Sequence, residues 1–390
     1  MSRPAILTGR PAFPGGLPLS RPPTPPLELV MERLRPQYER GVLTKGPLAA
    51  ELEERLAERF GVAHAVAVSS CTSGLILAVR ALCHGRVLLP SFNFFASAHA
   101  LAWNGLEPLF CDIDPQTFQA DIADIAERHD TFNASAVIAT HVFGAPCDPA
   151  RLEELAASAG IPLILDAAHA LGATHRGRPI GSFGDAEVFS LAPTKSVIAG
   201  EGGIVTTQRD DVAEAVRTGR DYGNPGDYDP TFVGLNARFS EFHAALALES
   251  LTDLDVRLER RRALAARYHE GFAELSGVAP QAVEEGDEST YALLAAVISP
   301  DQFGLTRDEL IEGLAAERID SRSYFSPPVH RQQVFARNGF WNLPKTDELS
   351  ARVVSLPLYD TLTFEEVDRV VEAIISLHEH AEEVRHAARP

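Results

Sequence analysis

Lysine is scarce in this chain. Of 35 basic residues among 390, only Lys45, Lys195 and Lys345 are lysine, and the others are arginine. Arginine keeps its proton in proteins, so any chemistry that needs a neutral amine has three candidates. Positive charge is also in deficit: 54 acidic residues leave a net charge of −19. A body this acidic repels nucleic acid and anionic lipid, which excludes both as general partners. It still permits a small anionic ligand held by a local Arg or a helix N-terminus. Cysteine is sparse too. Cys71, Cys83, Cys111 and Cys147 form no C-x-x-C pair and no Cys/His cluster with zinc spacing, so they read as separate reduced thiols and no metal site is expected. No apolar run reaches the ~18 residues of a membrane span, and Met1–Gly16 lacks the apolar stretch of a secretory signal. These features point to the cytoplasm.

What is present is ordinary for a folded protein, with 45% hydrophobic and 23% charged residues, which excludes a disordered chain. Residues 1–26 hold eight prolines and read as an extended arm of polyproline II character. Helical patterns follow over Leu27–Arg40 and Leu48–Phe60. From there to about residue 207, short apolar runs alternate with helical patterns. The strands expected are Ala65–Val68, Val87–Leu89, Leu109–Ile113, Ala136–Thr140, Leu163–Leu165, Val188–Leu191 and Gly203–Thr207. Helices are expected at Ser73–Leu82, Phe94–Trp103 and Pro149–Ala159. This alternation predicts an α/β fold with a mostly parallel central sheet and helices on both faces. Ser190 to Gly202 is too short for a crossover helix, so the last strand is expected to be antiparallel. A long helical stretch is expected from Ser240 to about Glu274, and then a smaller α+β domain. The expected divisions are an arm at 1–26, a large domain at 27–255 and a small one at 256–390.

In parallel α/β sheets, ligands bind beyond the carboxyl ends of strands. Leu163–Leu165 runs into Asp166, which reads either as an N-cap or as the counter-ion of a protonated ring nitrogen; His169 follows one turn later. Val188–Leu191 leads to Pro193-Thr-Lys195-Ser196. Lys195 is the one lysine beside an apolar strand, where a lowered pKa would suit Schiff-base chemistry, although a salt-bridged lysine fits as well. A P-loop is excluded because Thr194 stands where that motif requires Gly. Ala65–Val68 leads to Ser69-Ser-Cys-Thr-Ser-Gly74, a phosphate cradle or a plain cap. Val87–Leu89 leads to Pro90-Ser-Phe-Asn-Phe-Phe95, whose aromatics are core or cover a planar cofactor. Together these supply the four needs of pyridoxal 5′-phosphate (PLP): a phosphate cradle, a ring-stacking aromatic, an acid for the ring nitrogen and an amine for the aldehyde.

At this level of detail the chain resembles the fold-type-I, PLP-dependent nucleotide-sugar aminotransferases of the DegT type, from about Gly41 to Ala373. The resemblance rests on Leu43-Thr-Lys-Gly-Pro47, Ser70-Cys-Thr-Ser73, Pro90-Ser-Phe-Asn-Phe94, Asp166-Ala-Ala-His-Ala170, Ser190-Leu-Ala-Pro-Thr-Lys195, Gly200-Glu-Gly-Gly203, Gly234-Leu-Asn-Ala-Arg238 and Ser355-Leu-Pro-Leu-Tyr359. It implies that Lys195 bonds the cofactor aldehyde, that Asp166 pairs with the ring nitrogen, that Phe94 covers the ring and that His169 lies near the ring hydroxyl. It further implies that Thr72, Ser73 and Ser190 hold the phosphate, and that Asn236, with Arg238 close by, reaches the site of a neighbouring subunit in a homodimer. Thr44, Arg322, Tyr324 and His330 are the implied substrate contacts. Cys71 and Gly74 stand where the family usually has Gly and Ala, Ser196 where it has Asn, and Asn93 where it has Thr.

The implied reaction is amino transfer from L-glutamate to a dTDP-4-keto-6-deoxyhexose. A 3-keto-sugar or a keto-cyclitol such as scyllo-inosose is the alternative acceptor. The dehydratase branch of the family has His in place of Lys195 and is disfavoured. A non-catalytic PLP-binding regulator would need a basic DNA-binding domain, for which the arm is too short.

Overall fold

The computed structural model describes residues 3–336 and 341–387. The arm opens with a short helix α1 (Ala5–Thr8), and α2 (Leu27–Glu39) and α3 (Pro47–Phe60) follow. The large sheet contains β1 (His64–Val68), β2 (Arg86–Pro90), β3 (Glu107–Cys111), β4 (Ala136–Thr140) and β5 (Leu163–Asp166). After a small hairpin, β6 (Thr174–His175) and β7 (Arg178–Pro179), it is completed by β8 (Ala186–Ser190) and β9 (Gly203–Thr207). The strand order is β1-β9-β8-β5-β4-β2-β3. Pairing is parallel from β8 to β3, while β9 is antiparallel to both β1 and β8.

The crossovers are α4 (Cys71–Leu82), α5 (Ala96–Trp103), α6 (Ile122–Phe132) and α7 (Pro149–Ala159), and α8 (Asp210–Gly219) follows β9. The strands of this sheet are buried along nearly their whole length, as continuous Val, Ile, Leu and Ala runs require when helices cover both faces.

The long helical stretch expected after Ser240 is two helices, α9 (Glu241–Thr252) and α10 (Leu254–Phe272). Asp253 leaves helical geometry at φ −104° and ψ 18°. An Asp side chain competes for backbone partners and weakens a helix interior, a signal that the apolar periodicity on either side masks. Leu254 and Leu258 of α10 join the core of the large sheet, and Leu264, Ala265, Tyr268 and Phe272 join a second core. One helix therefore ties both cores together.

The second core belongs to a three-stranded antiparallel sheet, β10 (Val278–Pro280), β11 (Leu294–Ile298) and β12 (Val353–Leu356). Helices α11 (Pro300–Phe303), α12 (Arg307–Ala316), α13 (Pro344–Arg352), α14 (Phe364–Glu379) and α15 (Ala381–Ala387) complete this region.

The arm, expected to be extended, is docked on the second core. Phe13 and Leu17 are buried in the second core, and the Arg369 guanidinium lies 4.2 Å from the Phe13 ring centroid. Leu17 forms a parallel bridge with Ile319, its N–H donating to the Arg318 carbonyl at 2.8 Å. The prolines set the path, and the apolar residues between them dock it. Met1 and Ser2 lie outside the described residues. No helix among the described residues is long and apolar enough to cross a membrane.

Candidate active site

The carboxyl ends of β1, β2, β4, β5 and β8 open onto a cavity of ≈ 390 Å³. At one end α4 begins. Ser70 caps it, with Oγ accepting from the Ser73 N–H at 3.0 Å, while Ser73 Oγ accepts from the Ser70 N–H at 3.0 Å. Cys71 and Thr72 hold the first two helical positions, where N–H groups have no partner within the helix and the dipole favours an anion. Ser70, Cys71 and Thr72 line the cavity, as does Ser190 at the end of β8. Ser73 does not line it, because its hydroxyl is committed to the cap. Cys71 has negative φ and needs no glycine, so this departure leaves the turn intact. Gly203 is demanded: a Cβ there would come within 2.7 Å of the backbone of Ser70 and Cys71.

Asp166 is the last residue of β5 and is almost fully buried. Its Oδ2 accepts from Ser97 Oγ at 2.5 Å and its Oδ1 from the Ala168 N–H at 3.1 Å. Among the described residues no cation forms an ion pair with it. Burial pushes its pKa up, against the hydrogen bonds from Ser97 and Ala168 and the charge of Lys195. A carboxylate placed so, at the wall of a cavity, is a costly feature without a cationic ligand.

Lys195 lies on the turn after β8. Burial lowers its amine to about 8, while the nearby Cys71 and Asp166 oppose the fall. His169 is held well below its ordinary pKa by burial and by the Lys195 charge, so its imidazole is neutral. Phe94 is 48% exposed, a large apolar ring left open on the cavity wall.

An acid, an amine, an open aromatic face and a helix N-terminus thus converge on one cavity. They match the ring nitrogen, aldehyde, ring face and phosphate of PLP in kind. The unpaired buried carboxylate is the strongest sign of fit, because a protonated ring nitrogen is the partner that it lacks.

Of the implied substrate contacts, Tyr324 lines the cavity. The others do not. Thr44 Oγ1 donates to the Phe239 carbonyl at 3.0 Å. Arg322 pairs with Asp320 at 2.5 Å and lines an outer groove beside the arm. His330 is buried, with Nδ1 2.6 Å from Ser91 Oγ and Nε2 3.3 Å from Asp347, so it braces the end of β2 from behind. Asn236 is exposed and bridges Asp221, whose carboxylate pairs with both Arg238 and Lys45 at 2.5 Å. These two lie on an outer face, away from this chain's own cavity.

Several wall residues were missed from sequence. Asn93 was noted as a departure, yet its place in the cavity wall was not foreseen. Thr140 and His141 end β4, a position that the strand-end rule marks. His141 is buried, its Nδ1 accepting from the Cys147 N–H at 3.1 Å and its Nε2 3.4 Å from Glu187 Oε2. A glutamate inside the apolar strand Ala186–Ser190 was the available sign of that pairing. Phe325, next to the implied contact Tyr324, also lines the wall, as do the arm residues Leu19 and Ser20, which have no local sequence signal.

This fold and this set of groups define a PLP-dependent transferase. A family model described as "DegT/DnrJ/EryC1/StrS aminotransferase family" matches residues 28–375, and the chain belongs to that family. It is 31% identical over 354 residues to the spore coat polysaccharide biosynthesis protein SpsC of Bacillus subtilis (strain 168), covering 86% of this chain and 91% of that one. Its fold matches the crystal structure of DesI in the presence of its TDP-sugar product, with a TM-score of 0.93 and 36% identity over 99% of both chains. It also matches the structure described as "Putative sugar aminotransferase Spr1654 from Streptococcus pneumoniae, PMP-form", with a TM-score of 0.86, 25% identity, and 95% and 100% of the two chains covered. The protein is a PLP-dependent sugar aminotransferase.

Proposed function

We propose that the chain transfers an amino group from L-glutamate to a nucleotide-linked keto-sugar, with a dTDP-4-keto-6-deoxyhexose as acceptor, and that it does so as a homodimer. The observation that supports this reading is the similarity to DesI along the whole chain, arm included, because that protein's structure contains a TDP-sugar.

When bound, PLP supplies an aldehyde carbon that takes an amine and a protonated ring that withdraws electron density. The Asp166 carboxylate holds the proton on the ring nitrogen. Thr72 and Ser190, with the N–H groups that open α4, hold the phosphate. Phe94 covers one ring face and excludes water from it. His169, kept neutral, donates or accepts a hydrogen bond at the ring hydroxyl without adding charge. Lys195 Nζ, its amine lowered to about 8 by burial, accepts in its deprotonated form the proton from the α-carbon of the amino acid and later returns it. Asn236 and Arg238, on the exposed face, reach the cavity of the second subunit, where the arginine offers a positive charge to phosphate.

Incubation with glutamate and a panel of nucleotide keto-sugars, with the aminated carbon located by NMR, tests the reading. Amination at C4 of a dTDP-linked sugar is expected. Success with a cyclitol alone, or at C3, would replace it.

A further inference from the structure

In and just behind the cavity wall, four side chains form one hydrogen-bonded chain. The Asp166 carboxylate can only accept, so Ser97 Oγ donates to it, at 2.5 Å. Ser97 Oγ then accepts from Asn93 Nδ2 at 3.2 Å. The second Nδ2 proton goes to Thr140 Oγ1 at 2.8 Å. Asn93 Oδ1 accepts from the Phe94 N–H at 2.7 Å, which settles which way the amide faces. Asn93 and Ser97 are all but fully buried, so water does not compete for these bonds. The amide uses its carbonyl once and both its N–H bonds. With its carbonyl and both N–H groups engaged, the amide is held in one orientation.

We propose that Asn93 is a positioning residue that couples the two halves of the cofactor-binding wall, acting on Asp166 through Ser97 and on the ring-covering Phe94 through its backbone. This rests on the reading that Asp166 meets the ring nitrogen and Phe94 the ring face. The amide orients Ser97 as donor, and Ser97 turns the carboxylate to a single rotamer. The same amide ties down the start of the segment that presents Phe94. Asn93 touches neither substrate nor reacting atom in this role.

The test is PLP affinity of the cofactor-free protein, measured by absorbance titration across pH, for Ser97→Ala, Asn93→Leu, the double variant and Asp166→Asn. Ser97→Ala removes a charge-assisted hydrogen bond and is expected to weaken PLP binding about tenfold. Asn93→Leu, close in shape, is expected to weaken it as well. The double variant is expected to be weaker by less than the product of the two single effects, because both act on one carboxylate. Asp166 is also faced by Lys195, His141 and Cys71, which are unchanged in these variants. Loss of the Ser97 donor disfavours the charged carboxylate, so PLP affinity should fall at a higher pH in Ser97→Ala than in the parent. Fully multiplicative effects, or an unmoved pH profile, would overturn the proposal. Should Asn93→Leu fail to fold, Ser97→Thr, which keeps the hydroxyl, must restore affinity where Ser97→Ala loses it, and equal loss in both would overturn it. Asp166→Asn separates the two levels. If it binds PLP like the parent at every pH, the assignment of Asp166 is wrong; if it alone is weakened, only the Asn93–Ser97 coupling is wrong.

Discussion

Lys195 has the most constrained chemistry of any residue here. Its amine must lose a proton before it can attack a carbonyl, and burial brings that loss to about pH 8. The rate at which cofactor-free protein captures PLP should therefore rise with pH and level off above about 8. A rate independent of pH between about 6 and 10 would contradict the assignment. Lys195→Ala should abolish turnover while leaving PLP binding through the phosphate and ring contacts; turnover at the parent rate would exclude Lys195 as the proton carrier. Lys195, Asp166, Phe94 and His169 were legible in the sequence because each follows an apolar strand. Thr44, Arg322 and His330 were carried over from a resemblance that says nothing of which way a side chain turns, and the local packing turns them away.

At the scale of elements, the close fit of α4 on the sheet explains one departure from the family pattern. A Cβ on Gly74 would meet Val188 Cγ1 at 2.8 Å, Val205 Cγ2 at 3.1 Å and Val68 Cγ2 at 3.2 Å. Gly74→Ala should then cost roughly 1–3 kcal/mol by overpacking, read as a lowered midpoint in urea. No loss would mean that the helix can lift off the sheet. The arm makes a second test. Phe13 belongs to the second core, so Phe13→Ala should cost roughly 3 kcal/mol. An unchanged thermal midpoint would show the arm to be undocked. The alternation of strands and helices was plain from periodicity, and the short link before Gly203 correctly marked β9 as antiparallel. The docking of the arm was not legible, since eight prolines dominate its composition and the apolar residues between them have no period. The break at Asp253 was hidden by the apolar pattern that continues through it.

For the whole molecule, an acidic body would have to hold the diphosphate of the proposed nucleotide-sugar substrate. The cations available on the exposed face at Asp221, Lys45 and Arg238, belong in the proposed homodimer to the neighbour's site. Mixing two inactive chains tests this: Lys195→Ala, and a second chain carrying Asn236→Ala with Arg238→Ala. A hybrid dimer would have one site with both defects and one with neither, so random exchange should return about a quarter of the parent activity. No recovery, with exchange of subunits verified, would mean that each chain builds its site alone. A site shared between subunits, as proposed, could not be read from this chain's own periodicity or spacing, because it would depend on a surface that only a second copy completes.

The central claim is that one lysine holds the coenzyme. Reduction of the PLP-loaded protein with borohydride, followed by peptide mapping, tests it most directly. The pyridoxyl label is predicted on the peptide containing Ser190-Leu-Ala-Pro-Thr-Lys195. Label on Lys45 or Lys345, or on no lysine, would contradict the account.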